Sequence, residues 1–192
     1  MPQPLLKRHD PETMPPALRD AWQASMALRG DATLFAVFAN HPALYDWYAN
    51  GFYGTVFAGG RVPRRFKELL RIKLSTLHGC RFCNQGNRRD ALAAGLTAAQ
   101  IDALGDFEAG PFDDADKAVL RLADILALTT MTGTLTPDLY KALKAHFDDG
   151  QILELGLVGG VLAGMAKFLF AFDLVEKEET CPFTPTDKEA NA

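Results

Sequence analysis

The chain has 192 residues, just under half of them apolar, which is enough for one domain with a substantial buried core. Its formal charge is −4 at pH 7, and no basic stripe interleaved with aromatic residues argues for nucleic-acid binding. No apolar signal-peptide core follows the first methionine, and three cysteines in such a chain are typical of the reducing cytoplasm, where we expect this protein.

Turn residues divide the chain into helices, and runs of alternating β-branched residues are missing. Pro16, Pro42 and Pro63 each open a helix, because the first turn tolerates a missing backbone N–H. Gly30 and Gly79 end helices, because glycine adopts the left-handed conformation without strain. In chain order, the predicted helices are residues 17–28, 34–39, 42–57, 64–77, 80–94, 97–104, 113–128, 136–146 and 148–175.

Side-chain caps mark the later helices. Thr97 with Gln100 three residues on is a capping-box pattern, and Asp148 or Asp149 begins the last helix. The pattern predicts an all-α fold, a single-domain helical bundle over the whole chain. We expect the polar tails, residues 1–13 and 177–192, to be extended or loosely ordered.

The longest apolar stretch, residues 152–175, is interrupted by charge. It contains Glu154, Lys167 and Asp173 together with several glycines. Charged residues at such positions are costly in a lipid bilayer, so we interpret this stretch as a core or interface helix and expect no membrane partner.

Small residues recur at four-residue spacing along the same stretch, at Gly156, Gly160 and Gly164. A row of glycines on one helix face lets a second helix backbone approach closely. The second helix can belong to the same chain, as ordinary tight packing, or to another subunit. The sequence leaves both interpretations open.

One motif carries chemistry: Cys80 and Cys83 lie where the fourth predicted helix ends and the fifth begins. Two thiols three residues apart can close and reopen a small disulfide ring, and a helix N-terminus favours the thiolate. This combination is typical of a redox pair. Cys181, far along the chain in the polar tail, is interpreted as an incidental thiol.

Polar side chains share a face on each helix beside the thiols. On the preceding helix these are Glu68, Arg71, Ser75 and His78; on the following helix they are Cys80, Cys83, Asn87 and Asp90. If the two helices form an antiparallel hairpin, Glu68 comes near Asn87 or Asp90, and Arg71 comes near Asn87. The spacing therefore predicts a small buried polar cluster behind the thiols.

Three simpler interpretations compete with a redox pair. Zinc is disfavoured and no metal is expected, because a second ligand pair is missing and His78 lies too close to Cys80 for a tetrahedral site. Both thiols could instead be ordinary core residues, since free cysteine is often buried. Glu68 and Arg71 could form a plain salt bridge with no catalytic role.

The spacing Glu68-x11-Cys80-x-x-Cys83, followed by a helix ending Ala-Ala-Gly-Leu-Thr, resembles the alkylhydroperoxidase D (AhpD)-like branch of the carboxymuconolactone decarboxylase family. Residues 57–71 and 146–155 are similar to that family as well, and the resemblance covers about residues 35–175. It implies a helical bundle with a hairpin that carries the two cysteines. It also implies a homo-oligomer, commonly a trimer or hexamer; we expect no cofactor.

Family members with the full motif reduce peroxides through the two cysteines, and the resemblance carries their roles to matching positions. Glu68 matches the relay glutamate, Cys83 the cysteine that attacks the peroxide, and Cys80 the resolving cysteine. The family has a histidine where this chain has Asn87, and an asparagine cannot accept and pass on a proton at neutral pH. His78 is a candidate substitute base or, alternatively, a capping or surface histidine.

The leading hypothesis is therefore a thiol-dependent peroxidase or disulfide oxidoreductase that acts on a hydroperoxide or another small molecule and is restored by an external dithiol. A lyase of the decarboxylase branch is a second hypothesis, although that chemistry does not need the cysteine pair. A third is a non-enzymatic, redox-sensing oligomer, because Asn87 replaces the relay histidine.

Overall fold

The computed structural model describes residues 1–183. All the regular secondary structure in that range is helical. The α-helices are α1 (Pro16–Arg29), α2 (Thr33–Phe38), α3 (Pro42–Asp46), α4 (Arg64–Leu77), α5 (Arg81–Ala93), α6 (Ala98–Asp102), α7 (Asp114–Leu126), α8 (Pro137–Lys144) and α9 (Asp149–Ala171). A π-helix (Trp47–Ala58) continues α3, and short 3₁₀ turns lie at Pro11–Thr13 and Leu104–Asp106. The prediction of an all-α fold is confirmed.

Local backbone rules account for most helix ends. Gly30 and Gly79 follow α1 and α4 with φ of 69° and 63°, the left-handed region that glycine tolerates. At the start of α6 both bonds of the predicted capping box form between Thr97 and Gln100. The predicted helices therefore agree with the observed ones to within a few residues at most ends.

Helix α4 forms the centre of the domain and packs against α5, α7 and α9. Its Leu69 and Leu70 are completely buried, and burying each such side chain stabilises the fold by about 2 kcal/mol. Lys67 is also buried; its Nζ lies 2.8 Å from Glu154 Oε1 of α9 and donates to the Val56 carbonyl at 2.9 Å. This charge is tolerated because it is fully paired, and it fixes α9 to α4.

The helix predicted for residues 42–57 differs from expectation, because after Asp46 it widens into the π-helix. Bonds in a π-helix join residues five apart, and the Thr55 hydroxyl also donates to the Asn50 carbonyl at 3.2 Å. Aromatic rings pack against one another along this segment, with centroids 5.0–6.2 Å apart. The rings are those of Tyr48, Phe52, Tyr53 and Phe57. We attribute the π-helix to the packing of these rings and to Gly51 and Gly54, which weaken an α-helix at this point.

Helix α9 ends at Ala171, four residues before the predicted end, and Asp173 follows with a positive φ of 51°. By length and composition alone α9 could cross a membrane. Its buried residues, however, recur every three or four positions, the pattern of a helix with one face in a protein core.

The glycines of α9 divide between two faces. A Cβ atom on Gly159 would lie 2.5 Å from the Leu126 side chain, so this glycine allows close packing inside the domain. Gly156, Gly160 and Gly164 face open space instead, and Leu157 beside them is 57% exposed. Packing inside the monomer therefore does not explain these three glycines.

Both predicted tails contact the helical body where they are described. Near the N-terminus the His9 N–H donates to the Ala36 carbonyl at 3.0 Å. After α9 the chain returns to the cysteine turn, where the Glu178 N–H donates to the Gly79 carbonyl at 2.8 Å. Cys181 is buried there, with its Sγ 3.1 Å from the His78 carbonyl. The rest of the second tail, residues 184–192, lies outside the described residues.

Candidate active site

The two cysteines form a disulfide at the junction of α4 and α5, with the sulfur atoms 2.03 Å apart. Cys80 caps the N-terminus of α5 and is completely buried, whereas Cys83 in the first turn is half-buried. The turn needs Gly79, because a Cβ there would lie 2.6 Å from the Cα of Cys181. Because Cys80 is completely buried and Cys83 is not, an attacking molecule reaches Cys83 more easily than Cys80.

The helix N-terminus acts on Cys80 as well. The Cys83 backbone N–H donates to the Cys80 Sγ at 3.2 Å, so one otherwise free N–H of the first turn points at this sulfur. A hydrogen bond of this kind, together with the helix dipole, favours a thiolate on Cys80 when the disulfide opens. Cys80 is thus a good leaving group for an attack on Cys83.

A pocket of about 320 Å³ borders the disulfide. Its wall is mostly apolar and aromatic, and no aspartate or glutamate of residues 1–183 contributes to it. The polar members of the wall are two arginines, three tyrosines, a serine, a histidine and an asparagine: Arg29, Arg71, Tyr45, Tyr48, Tyr53, Ser75, His78 and Asn87. The pocket suits an organic molecule about as large as ten waters.

The predicted polar cluster forms around Arg71. Its Nε donates to Glu68 Oε2 at 2.9 Å, and its Nη2 donates to Asp90 Oδ2 at 2.9 Å. Glu68 is completely buried and also accepts from Arg64 Nε at 3.1 Å. Burial lowers the pKa of the Arg71 guanidinium, but Tyr53, Glu68 and Asp90 outweigh that effect and raise its pKa above the ordinary value. Arg71 therefore stays charged, and its charge is neutralised from behind.

Asn87 lies on the pocket wall but bonds away from this cluster. Its Nδ2 donates to Ser75 Oγ at 2.9 Å, and the Ser75 hydroxyl donates to the Ile72 carbonyl at 3.1 Å. This chain of hydrogen bonds ends in the backbone of α4, and its members do not titrate near neutral pH. The structure thus brings Glu68 together with Asp90 through Arg71, and it pairs Asn87 with Ser75.

His78 is buried at the end of α4 and also lies on the pocket wall. Its Nε2 accepts the Leu128 N–H at 3.0 Å, which fixes the tautomer with the proton on Nδ1. Burial lowers the pKa of the His78 ring to about 4. The ring is therefore uncharged at neutral pH, with its acceptor nitrogen already occupied.

Among the polar residues of the pocket wall, sequence reasoning missed Arg29, Tyr45, Tyr48 and Tyr53. Burial raises the pKa of the Tyr48 hydroxyl, and the neighbouring Tyr53 hydroxyl raises it further, so Tyr48 remains protonated. The two tyrosines are five residues apart, a spacing that a search for α-helical periodicity does not detect. Arg29 ends α1, far from the cysteines in sequence, and no local signal marks it.

Within residues 1–183, no group of three or more His, Cys, Asp or Glu side chains could hold a metal ion. The chemistry available is that of a partly exposed cysteine bonded to a buried one, beside an apolar pocket that contains cationic and hydroxyl groups. Such a pair can take up two electrons from an attacking dithiol and deliver them to an electrophile in the pocket.

Comparison with known proteins relates the central part of the chain to a known family. Residues 42–124 match the model of the carboxymuconolactone decarboxylase family. A stretch of 99 residues is 30% identical to YdfG, an uncharacterized protein of Bacillus subtilis (strain 168). That match covers 50% of this chain and 66% of YdfG, so the chain spans just under two thirds of this relative's length.

Solved structures share the fold at low sequence identity. A variant of the debrominase Bmp8, in complex with 2,3,4-tribromopyrrole, is 14% identical with a TM-score of 0.72, covering 92% of this chain and 93% of that one. An AhpD-core, peroxidase-related protein from Ralstonia eutropha JMP134 is 13% identical with a TM-score of 0.63, covering 98% and 95%. ATU0492 from Agrobacterium tumefaciens, a protein of unknown function linked to antioxidant defence protein AhpD, is 23% identical with a TM-score of 0.60, covering 70% and 91%.

Proposed function

Because residues 42–124 match the carboxymuconolactone decarboxylase family and the chain has the AhpD-like helical fold, we propose that it is a thiol-dependent oxidoreductase that reduces an organic hydroperoxide in the pocket beside Cys83. The observation that carries this proposal is the asymmetry of the sulfur pair. Cys83 is partly exposed on the pocket wall, whereas Cys80, at the start of the helix, is completely buried. We place the reaction in the cytoplasm, where dithiol reductants are available.

In the oxidative half-reaction the Cys83 thiolate attacks the terminal oxygen of the hydroperoxide. The new S–O bond forms as the O–O bond breaks, and the released alkoxide takes up a proton and leaves as an alcohol. Cys83 is then a sulfenic acid, and the Cys80 thiol attacks its sulfur. The disulfide forms, and hydroxide leaves with the Cys80 proton as water.

In the reductive half-reaction an external dithiol attacks the accessible Cys83 sulfur. Cys80 departs as a thiolate, stabilised by the Cys83 N–H that points at its sulfur. The second thiol of the reductant then resolves the mixed disulfide and restores Cys83. We assign positioning roles to Glu68, which holds Arg71 at the pocket wall, and to Asn87 and His78, which hydrogen-bond α4 and the backbone after α7.

The direct test is hydroperoxide consumption by the purified, fully reduced protein with dithiothreitol as donor. We expect multiple turnovers with cumene hydroperoxide and, without the donor, loss of two thiols per chain for each hydroperoxide consumed. If the thiols oxidise once but no turnover occurs with dithiothreitol or thioredoxin, the chain is a redox sensor. If a lactone acid is decarboxylated after both thiols are alkylated, the chain is a lyase. Either result contradicts the proposal.

A histidine in place of Asn87 is expected to raise the rate of hydroperoxide reduction. The Asn87→His variant places a group with a pKa near 6.5 on the pocket wall, and a positioned general base contributes about 10²–10⁴-fold. We expect at least a tenfold increase in kcat/KM at pH 7, with a new inflection in the pH profile near that pKa. Asn87→Ala, which also loses the bond to Ser75, is the control. No increase in Asn87→His, with unchanged melting temperature, would show that the pocket does not lack a base.

We also propose that the outer face of α9 contacts other copies of the chain, giving the trimer or hexamer common in the family. Support comes from the three outward glycines and from the exposed Leu157 between them. Leu157→Asp is expected to lower the mass measured by sedimentation velocity to that of the monomer. Met131→Asp, at another exposed apolar residue, should keep the wild-type mass. A monomeric wild type, or equal masses for both variants, would contradict this surface.

A second candidate reaction is thiol-dependent removal of halogen from an aromatic ring. The aromatic pocket wall favours it, and the structural neighbour Bmp8 is a debrominase. Here Cys83 would take the bromine as a sulfenyl bromide, the ring carbon would gain a proton, and Cys80 would displace bromide to close the disulfide. Release of bromide from 2,3,4-tribromopyrrole with dithiothreitol, at a higher kcat/KM than for cumene hydroperoxide, would favour this reaction over peroxide reduction.

A further inference from the structure

The pocket beside Cys83 holds an arginine, Arg29, that no carboxylate among residues 1–183 neutralises at hydrogen-bond distance. Arg29 reaches from the end of α1 to α5, where its Nε donates to the Phe82 carbonyl at 3.0 Å. Its guanidinium lies over the Phe82 ring, with Cζ 4.4 Å from the ring centroid. These two contacts hold the side chain beside the turn of α5 that contains Cys83.

A glycine on α5 makes room for this arginine. A Cβ atom on Gly86 would lie only 2.0 Å from Arg29 Nη2, so any other residue would displace the guanidinium. Gly86 is buried one turn after Cys83 and on the same side of α5, since residues three apart are neighbours on a helix. Helix α5, which carries Cys83, therefore determines where the Arg29 guanidinium lies.

The two arginines of the pocket differ in their partners. Arg71 donates to both Glu68 and Asp90, whereas neither Nη atom of Arg29 has a hydrogen-bond or ion-pair partner among residues 1–183. Asp31, two residues after Arg29, directs Oδ1 to the Thr33 backbone N–H and hydroxyl. Burial lowers the pKa of Arg29, and the like charge of Arg89 contributes, while the carboxylates of Asp90 and Asp31 only partly oppose this.

We propose, as an extension of the proposed oxidoreductase function, that Arg29 binds an anionic group of the substrate, which is an apolar or aromatic carboxylate. With Nε bonded to the Phe82 carbonyl, the edge formed by the two Nη atoms stays free and matches the two oxygens of a carboxylate. The remaining wall, formed by residues such as Leu34, Phe35 and Leu169, receives the apolar body. Since no described residue of the wall is acidic, an anion meets no negative charge there when it enters.

Binding without turnover tests the site first. Calorimetry on the oxidised protein compares benzoate with benzamide, which has the same ring but no charge. We expect benzoate to bind at least tenfold more tightly, and Arg29→Gln to remove this difference. Arg88→Gln, which removes a positive charge from α5 outside the pocket, should keep it. Equal affinities in the wild type, or equal losses in both variants, would overturn the proposal.

Turnover then tests the substrate class. The probes are cumene hydroperoxide and its para-carboxylated derivative, and the readout is the ratio of their kcat/KM values. We expect Arg29→Gln to lower the anionic-to-neutral ratio at least tenfold, whereas an arginine that acts only on the thiol would lower both values and leave the ratio unchanged. An unchanged ratio would overturn the proposal. If neither hydroperoxide turns over, the oxidoreductase function fails, and the calorimetric comparison still decides whether Arg29 forms an anion site.

Discussion

Cys83→Ser is expected to abolish hydroperoxide consumption, with kcat/KM falling at least a thousandfold, because the serine hydroxyl is a far weaker nucleophile at neutral pH than a thiolate. Cys80→Ser should behave differently. Its Cys83 can still attack, but the sulfenic acid has no buried thiol to resolve it. We therefore expect one equivalent of hydroperoxide to be consumed per chain in a single burst, followed by little turnover.

The two variants can be distinguished by chemical trapping. Dimedone added after cumene hydroperoxide should label Cys83 in Cys80→Ser, as detected by mass spectrometry, and should leave Cys83→Ser unlabelled. Cys181→Ser is the control, since Cys181 is buried against the His78 carbonyl and does not line the pocket. A burst in Cys83→Ser that is lost in Cys80→Ser would reverse the assignment of the attacking and resolving sulfurs.

Glu68→Gln is expected to lower the free energy of unfolding by about 3 kcal/mol, because removing one charge of a buried ion pair leaves its partner poorly compensated. Glu68 is completely buried between Arg64 and Arg71, and after the change only Asp90 balances the Arg71 guanidinium. Urea denaturation would show this as a lower midpoint with an unchanged slope.

An exposed ion pair provides the matched control for this change. Glu108→Gln removes the same charge opposite Arg121, but both side chains are about half exposed, and we expect less than about 0.5 kcal/mol. Equal shifts for the two variants would mean that the buried cluster adds no stability beyond that of a surface pair. In that case the role of Glu68 would be to position Arg71 in the site and not to stabilise the fold.

The helices that are bounded by proline and glycine could be predicted well, because these residues restrict the backbone wherever they occur. Pro63 and Gly79 bracket α4, and the observed helix has the predicted bounds. The cysteine pair at the start of α5 followed from the same local rules. The end of α9 did not, because apolar residues continue past Ala171 into the segment that packs on the cysteine turn.

The pocket could be predicted only in part, because its wall combines residues that are distant in sequence. Glu68, Arg71 and Asp90 share faces of two adjacent helices, so helical spacing was enough to bring them together. Arg29 arrives from α1, and only its contacts with Phe82 and Gly86 reveal where its charge lies. Arrangements of this kind depend on tertiary packing, which a single sequence does not encode in any local pattern.

The π-helix makes the chemistry beside the disulfide sensitive to chain length. Five residues correspond to about 1.4 turns of an α-helix, so in that conformation Tyr48 and Tyr53 would point in widely different directions. In the wider helix their rings contact each other at 5.1 Å on the pocket wall. Loss of one residue between them would therefore change which hydroxyl groups line the pocket, while the two cysteines on α5 stayed in place. Insertions and deletions in this segment give the fold a way to change substrate without altering its redox pair.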